Sequence, residues 1–174
     1  MKKLSQNRAP VFAIACALLV VGGAAVFAKT KAARLFTARP EVKVSLAGFV
    51  SRGQAQVSVE KAEAVSAGEI VNWNIHSDNV GNGAAHDYKV VGQIPKGTVL
   101  VAGSQKAEGR VRVTYSIDGG KSFVPTPTIA EKQADGTMKQ VDAPVSMYTQ
   151  VRYEWADPLA ASGKLNASYQ VRVK

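Results

Sequence analysis

Residues 165–173 read Leu-Asn-Ala-Ser-Tyr-Gln-Val-Arg-Val, and this stretch decides the fold class. Leu165, Ala167, Tyr169, Val171 and Val173 fall on every second position, with Asn166, Ser168, Gln170 and Arg172 between them. A strand turns successive side chains to opposite faces, so this pattern predicts one face on a core and one in water. The same beat recurs upstream. Val57 and Val59 alternate with Gln56, Ser58 and Glu60, and Val71, Trp73 and Ile75 alternate with Asn72, Asn74 and His76. Val111, Val113, Tyr115 and Ile117 alternate with Arg110, Arg112, Thr114 and Ser116. Val151, Tyr153 and Trp155 alternate with Gln150, Arg152 and Glu154. β-Branched and aromatic residues dominate the apolar set, as a pleated, half-buried surface favours.

Turn chemistry separates these runs. Ser66-Ala67-Gly68-Glu69 precedes the Trp73 run and Asn79-Val80-Gly81-Asn82-Gly83 follows it. Pro95-Lys96-Gly97 divides 88–94 from 99–101, and Asp118-Gly119-Gly120 is a hairpin-type signal before Phe123. Residues 125–144, with three prolines and Asp135-Gly136, are expected to form the longest irregular segment. Residues 42–50 (VKVSLAGFV) add one further edge strand, and no amphipathic helix follows residue 40. Seven to nine short strands with a turn about every ten residues predict an all-β, antiparallel β-sandwich over residues 41–174.

The N-terminal part is different. Residues 1–8 carry Lys2, Lys3 and Arg8, and Pro10 to Ala28 then run without a charge to Val26-Phe27-Ala28. A positive start, an apolar stretch and small residues before Lys29 predict an export helix over 1–28: a signal peptide, or an uncleaved anchor. Nineteen apolar residues at ~1.5 Å each approach a ~30 Å hydrocarbon layer, so length leaves both readings open. Residues 29–40 read as a basic linker ending in Pro40. The only cysteine, Cys16, lies inside the apolar run, so the domain has neither disulfide nor thiolate metal site. Of 22 basic residues, seven precede Glu41; the remaining 15 face all 13 acidic ones, leaving the domain at only +2. Nucleic acid is therefore not an expected partner, because phosphate binding depends on a concentrated positive field.

The order of motifs in residues 59–104 resembles a conserved repeat domain of unknown function, the eleventh in its naming series, found in prokaryotic surface proteins. The matching pieces are Gly68-Glu69, Val71-Asn72-Trp73-Asn74-Ile75, Asn79-Val80-Gly81, Val90–Gln93 and Ile94-Pro95-Lys96-Gly97-Thr98. Residues 115–123 and 158–163 are similar to the segments that close such domains, and the likeness spans roughly residues 55–174. It departs at Trp73, where the family carries tyrosine, and at Gly92-Gln93, where aspartate is common. The resemblance implies an immunoglobulin-like sandwich acting as a spacer or adhesive module, with no catalytic residue to carry over.

Side chains that could hold chemistry are few. His76, Asp78 and His86 are candidate metal ligands, since His76 and Asp78 share one strand face and a hairpin could bring His86 opposite. A polar turn explains the same residues. Ser104 lacks the strand-elbow-helix setting of a nucleophile, and Glu154 and Asp157 sit on a strand and a turn respectively. Arg110, Arg112, Arg152, Arg172 and Lys174 fall on outward positions that could form a basic stripe, or merely a solvated face. Trp73 and Trp155 are in phase with core aliphatics, and Asn166-Ala167-Ser168 matches a glycosylation acceptor in mid-strand. No catalytic, cofactor-binding or metal residue is assigned. The expectation is a non-catalytic, exported module of the cell envelope or surface with a protein or envelope partner, touching membrane only through 1–28 if that segment is retained. The alternative is a periplasmic binding or chaperone-like domain that captures a partner by edge-strand pairing.

Overall fold

The computed structural model describes residues 38–174 apart from Gln54 and Glu63. The expected export helix and most of the basic linker lie outside the described residues. From Val42 onward the chain is all-β. Eleven strands are present: β1 Val42–Arg52, β2 Ala55–Ser58, β3 Ile70–Asn79, β4 Lys89–Gln93, β5 Thr98–Leu100, β6 Lys106–Ala107, β7 Val111–Ser116, β8 Thr128–Lys132, β9 Met138–Asp142, β10 Gln150–Trp155 and β11 Lys164–Val173. The only helical element among the described residues is a 3-10 turn at Val145–Met147.

Two antiparallel sheets make a sandwich-like pair of layers. The larger runs β2-β1-β3-β11-β5, with β6 also on β11; the smaller runs β4-β10-β7. Their facing sides supply one core: Val50, Val71, Ile75, Ala167, Tyr169 and Val171 from the large sheet meet Val90, Val151, Tyr153 and Trp155 from the small one. The strongest alternating runs, 70–79, 150–155 and 164–173, are strands with their odd positions inward. Tyr153 and Tyr169 are wholly buried, and each sends its hydroxyl across the gap to a backbone carbonyl, of Ser168 and of Gln93, at 2.6 Å. A buried phenol needs such an acceptor, so these bonds fix the spacing of the layers. Gly92 makes room for the Tyr169 ring: a Cβ there would stand 2.4 Å from Cε1.

Three expectations are corrected. Nine strands build the two sheets, within the expected seven to nine, and β8–β9 form a separate hairpin. That hairpin occupies the segment expected to be irregular. It turns on Asp135-Gly136, where Gly136 takes φ +86 and the Asp135 carboxylate accepts the Thr137 N–H and hydroxyl. Most of its residues are exposed, so no apolar face announced it in the sequence. Second, Thr114 and Ser116, read as water-facing, are both only 1% exposed. Residues 117–124 fold back over that face: the Phe123 ring lies 4.2 Å from the Arg152 guanidinium, and Ser116 Oγ accepts the Asp118 and Gly120 N–H groups. Third, residues 42–50 are an edge strand only as far as Ala47; β2 joins the other side from Phe49, so β1 has strand neighbours on both sides at Phe49 and Val50.

Candidate functional site

β1 pairs with β3 along nine consecutive residues, Val42 opposite Asn79 through Val50 opposite Val71. On its other side β2 reaches only Phe49–Arg52, and one further bond, Val59 N–H to the Gly48 carbonyl, ends the ladder. No described strand pairs with residues 42–47 on that side. In a strand the backbone groups of successive residues point alternately to the two neighbours. Gly48 faces the β2 side and Glu41, whose carbonyl accepts Val80 N–H at 2.8 Å, faces β3. The unbroken register therefore turns the N–H and C=O groups of Val42, Val44 and Leu46 to the open edge.

The side chains of these same residues point toward the core layer, because cross-strand partners share a face. Leu46 is opposite the buried Ile75, Val44 opposite the buried Ser77 and Val42 opposite the buried Asn79. Yet Val44 is 52% and Leu46 50% exposed. The small sheet stops short of them. Tyr88 bonds Ser77 Oγ at 2.7 Å, which puts it over β3, and Val44 lies on the next strand out.

This edge is held firmly at its start. The fully buried Asn79 accepts the Glu41 and Gly81 N–H groups on Oδ1, and its Nδ2 donates to the carbonyls of Gly83, Leu159 and Ala160. Gly83 N–H bonds the Arg39 carbonyl, and Arg39 N–H bonds Asn82 Oδ1. Gly81 and Gly83 lie so close to the incoming chain that a Cβ on either would fall within 2.4–2.8 Å of its backbone. The turn read from Asn79-Val80-Gly81-Asn82-Gly83 thus also clamps the entry to β1.

The sequence candidates are dispersed by the fold. His76 and Asp78 do share the outer face of β3, but each is engaged elsewhere, and His86 lies exposed in the turn that follows Ala85. No group of three metal-ligating side chains occurs among the described residues. Asp78 pairs with Lys164 at 3.5 Å. His76 Nδ1 lies 2.7 Å from Asn166 Oδ1, and Asn166 Nδ2 donates to Glu108. The carboxylate fixes that amide's orientation, so His76 donates from Nδ1. His76, Asn166 and Glu108 line a shallow recess of about 440 Å³ with Asn74, Lys106 and Ser168. The candidate glycosylation residue Asn166 is therefore tied into the sheet face.

Glu154 and Asp157 each pair with a separate arginine, Arg152 and Arg110. The Arg110 guanidinium holds the Asp157 carboxyl below the usual carboxylate range. Asp118 is likewise held low, mainly by the Ser122 and Ser116 hydroxyls; it caps a turn. The five basic residues make no stripe: Arg112 and Arg152 are on the small sheet, Arg172 on the large one. Ser104 Oγ donates to the Val101 carbonyl and accepts Gln170 N–H, a structural role in a turn. Trp155 is core, with Nε1 on the Glu108 carbonyl, and Trp73 is half-buried against Gly48. No family model, curated protein or solved structure matches the chain.

Proposed function

We propose that this protein is a non-catalytic, exported interaction module of the cell envelope, built on an immunoglobulin-like sandwich, and that it works by accepting an extended segment along the open edge of β1. The observation that carries this reading is the coincidence of open backbone groups on Val42, Val44 and Leu46 with the apolar side chains of Val44 and Leu46, which the small sheet leaves uncovered. An added strand satisfies the former and covers the latter, which is how edge pairing couples affinity to specificity. The other edges offer less. At β7, Tyr115 and Val124 exchange N–H···O bonds at 2.8 and 3.1 Å, so the chain itself takes one residue of that edge. The edge strand β4 is five residues long and presents Val91 alone as an exposed large hydrophobic. At the far end of the large sheet, β5 is only three residues long.

The immunoglobulin-like assignment draws on the motif order in residues 59–104 and on the two antiparallel layers. Export draws on the charge-free stretch from Pro10 to Ala28 after a basic start. The test is cross-linking in intact envelopes with a photoreactive side chain at Ser45, in the native background and with Leu46→Lys. A strand-length contact mapped to 42–47, lost in the lysine variant, is the expected result. An unchanged cross-link pattern would exclude β1 as the working surface. Mass spectrometry of the N-terminus checks export: Lys29 at the start means cleavage, an intact Met1 species in membranes means an anchor, and a purely cytosolic chain refutes both.

A further inference from the structure

We infer that the occupant of the β1 edge is β1 of a second copy of this chain, paired antiparallel about a twofold axis through Val44. The inference rests on the edge-pairing reading above and names the partner. Three residues of β1 turn their backbone groups outward, at 42, 44 and 46, and an odd set spaced by two is self-complementary in an antiparallel pair. With the axis at Val44, that residue meets its own counterpart in the second copy, and Val42 meets the counterpart of Leu46, each pair exchanging both N–H···O bonds. No outward group in the stretch is left over.

Side chains and charges agree with this register. Paired residues share a face, so Val42, Val44 and Leu46 of the two copies join into one apolar strip on the core side, covering the Val44 and Leu46 surfaces left exposed in a single copy. On the opposite face Lys43 stands beside Ser45 of the second copy, and its own sheet neighbour is Asp78. Sliding the register by one step toward the N-terminus would set the axis at Lys43 and place the two lysines directly opposite, a destabilising like-charge pair. A slide the other way, with the axis at Ser45, would set Val42 opposite Gly48 and leave the Val42 N–H without an acceptor, because the Gly48 carbonyl is already taken by Val59. Both ends of the ladder also close naturally. Pro40 has no N–H to donate, and in this register it falls opposite Gly48 of the second copy, where β2 takes over.

A strand edge of this length buries less than the ~800 Å² per partner of a standard stable interface, so the dimer is weak and concentration-dependent. A local probe distinguishes this contact from association elsewhere on the chain. Hydrogen-bonded residues across an antiparallel pair have Cα atoms about 5.5 Å apart, inside the range a disulfide spans. In the full chain with Cys16→Ser, Val44→Cys is therefore expected to form an intermolecular disulfide at least tenfold faster than Ser45→Cys, and adding Leu46→Lys abolishes the difference. Near-ultraviolet circular dichroism confirms that each variant is folded; both positions are exposed. Equal cross-linking at 44 and 45 overturns the self-paired register. If the thiol introduced at position 44 instead bonds a cysteine probe placed in a different envelope protein, the second copy is wrong while edge capture stands. If that thiol captures nothing and Leu46→Lys changes no association, both fall.

Discussion

The centre and the β1 end of the interlayer space obey the same alternation and end in opposite states. At the centre, Tyr153 and Tyr169 are wholly buried and their hydroxyls bridge the sheets. At the β1 end, Val44 and Leu46 occupy equivalent inward positions and stay half exposed. Periodicity sets which face a side chain takes; only the opposite layer sets whether that face is covered. The difference comes from sheet width. Six strands face three, and the three are placed over β3, β11 and their neighbours rather than over the whole large sheet.

Truncation should break this comparison most visibly. Tyr169→Ala is expected to cost about 3–5 kcal/mol in urea unfolding, as for large aromatic deletions in a close-packed core. Leu46→Ala should cost well under about 1 kcal/mol, because half its surface is already in water. Similar losses at the two sites would mean that the open end is as tightly packed as the centre. A smaller but still large effect is expected at the clamp between the two regions. Asn79→Ala removes one buried side chain that serves both backbone donors and acceptors, and should cost about 2–4 kcal/mol. Amide exchange should also speed up across residues 41–46 more than across β10, which shares none of these bonds.

The gentlest probe is alkaline pH. Burial pushes both Tyr153 and Tyr169 phenols far above their ordinary value, since the ionised form loses its water in the core. A group whose folded pKa is raised contributes stability that is complete below its unfolded value, ~10 for tyrosine, and is lost as pH rises past it. Urea midpoints should therefore hold steady to about pH 9 and fall beyond about pH 10. The fall should shrink in Tyr153→Phe and Tyr169→Phe, whose own neutral-pH stability drops because the Ser168 and Gln93 carbonyls lose their donors. A slope unchanged by both substitutions would place the alkaline sensitivity elsewhere.

Much of the fold was legible from residue spacing. The runs at 71–75, 151–155 and 165–173 named their own inward positions, because alternation is a local property of the extended backbone. The turns at 66–69, 79–83 and 118–120 were legible for the same reason. What stayed hidden depended on neighbours. Thr114 and Ser116 look solvent-facing until the 117–124 loop lies across them. The β8–β9 hairpin carries too little apolar pattern to stand out among prolines.

The candidate site divides in the same way. His76, Asp78 and His86 attracted attention as residue types, but hydrogen-bonding partners decide the roles of the first two, and those come from the β6 region and β11. Val44 and Leu46 drew none, since two aliphatics in a strand are ordinary in sequence. Composition, charge and a period of two were enough to specify an all-β domain and which side of each strand is apolar, because these follow from chain geometry alone. Where β2 stops, where β4 lies and hence which apolar side chains stay in water were settled only by the packing of segments distant in sequence. An edge is defined by a neighbour that is missing, and no residue encodes that by itself.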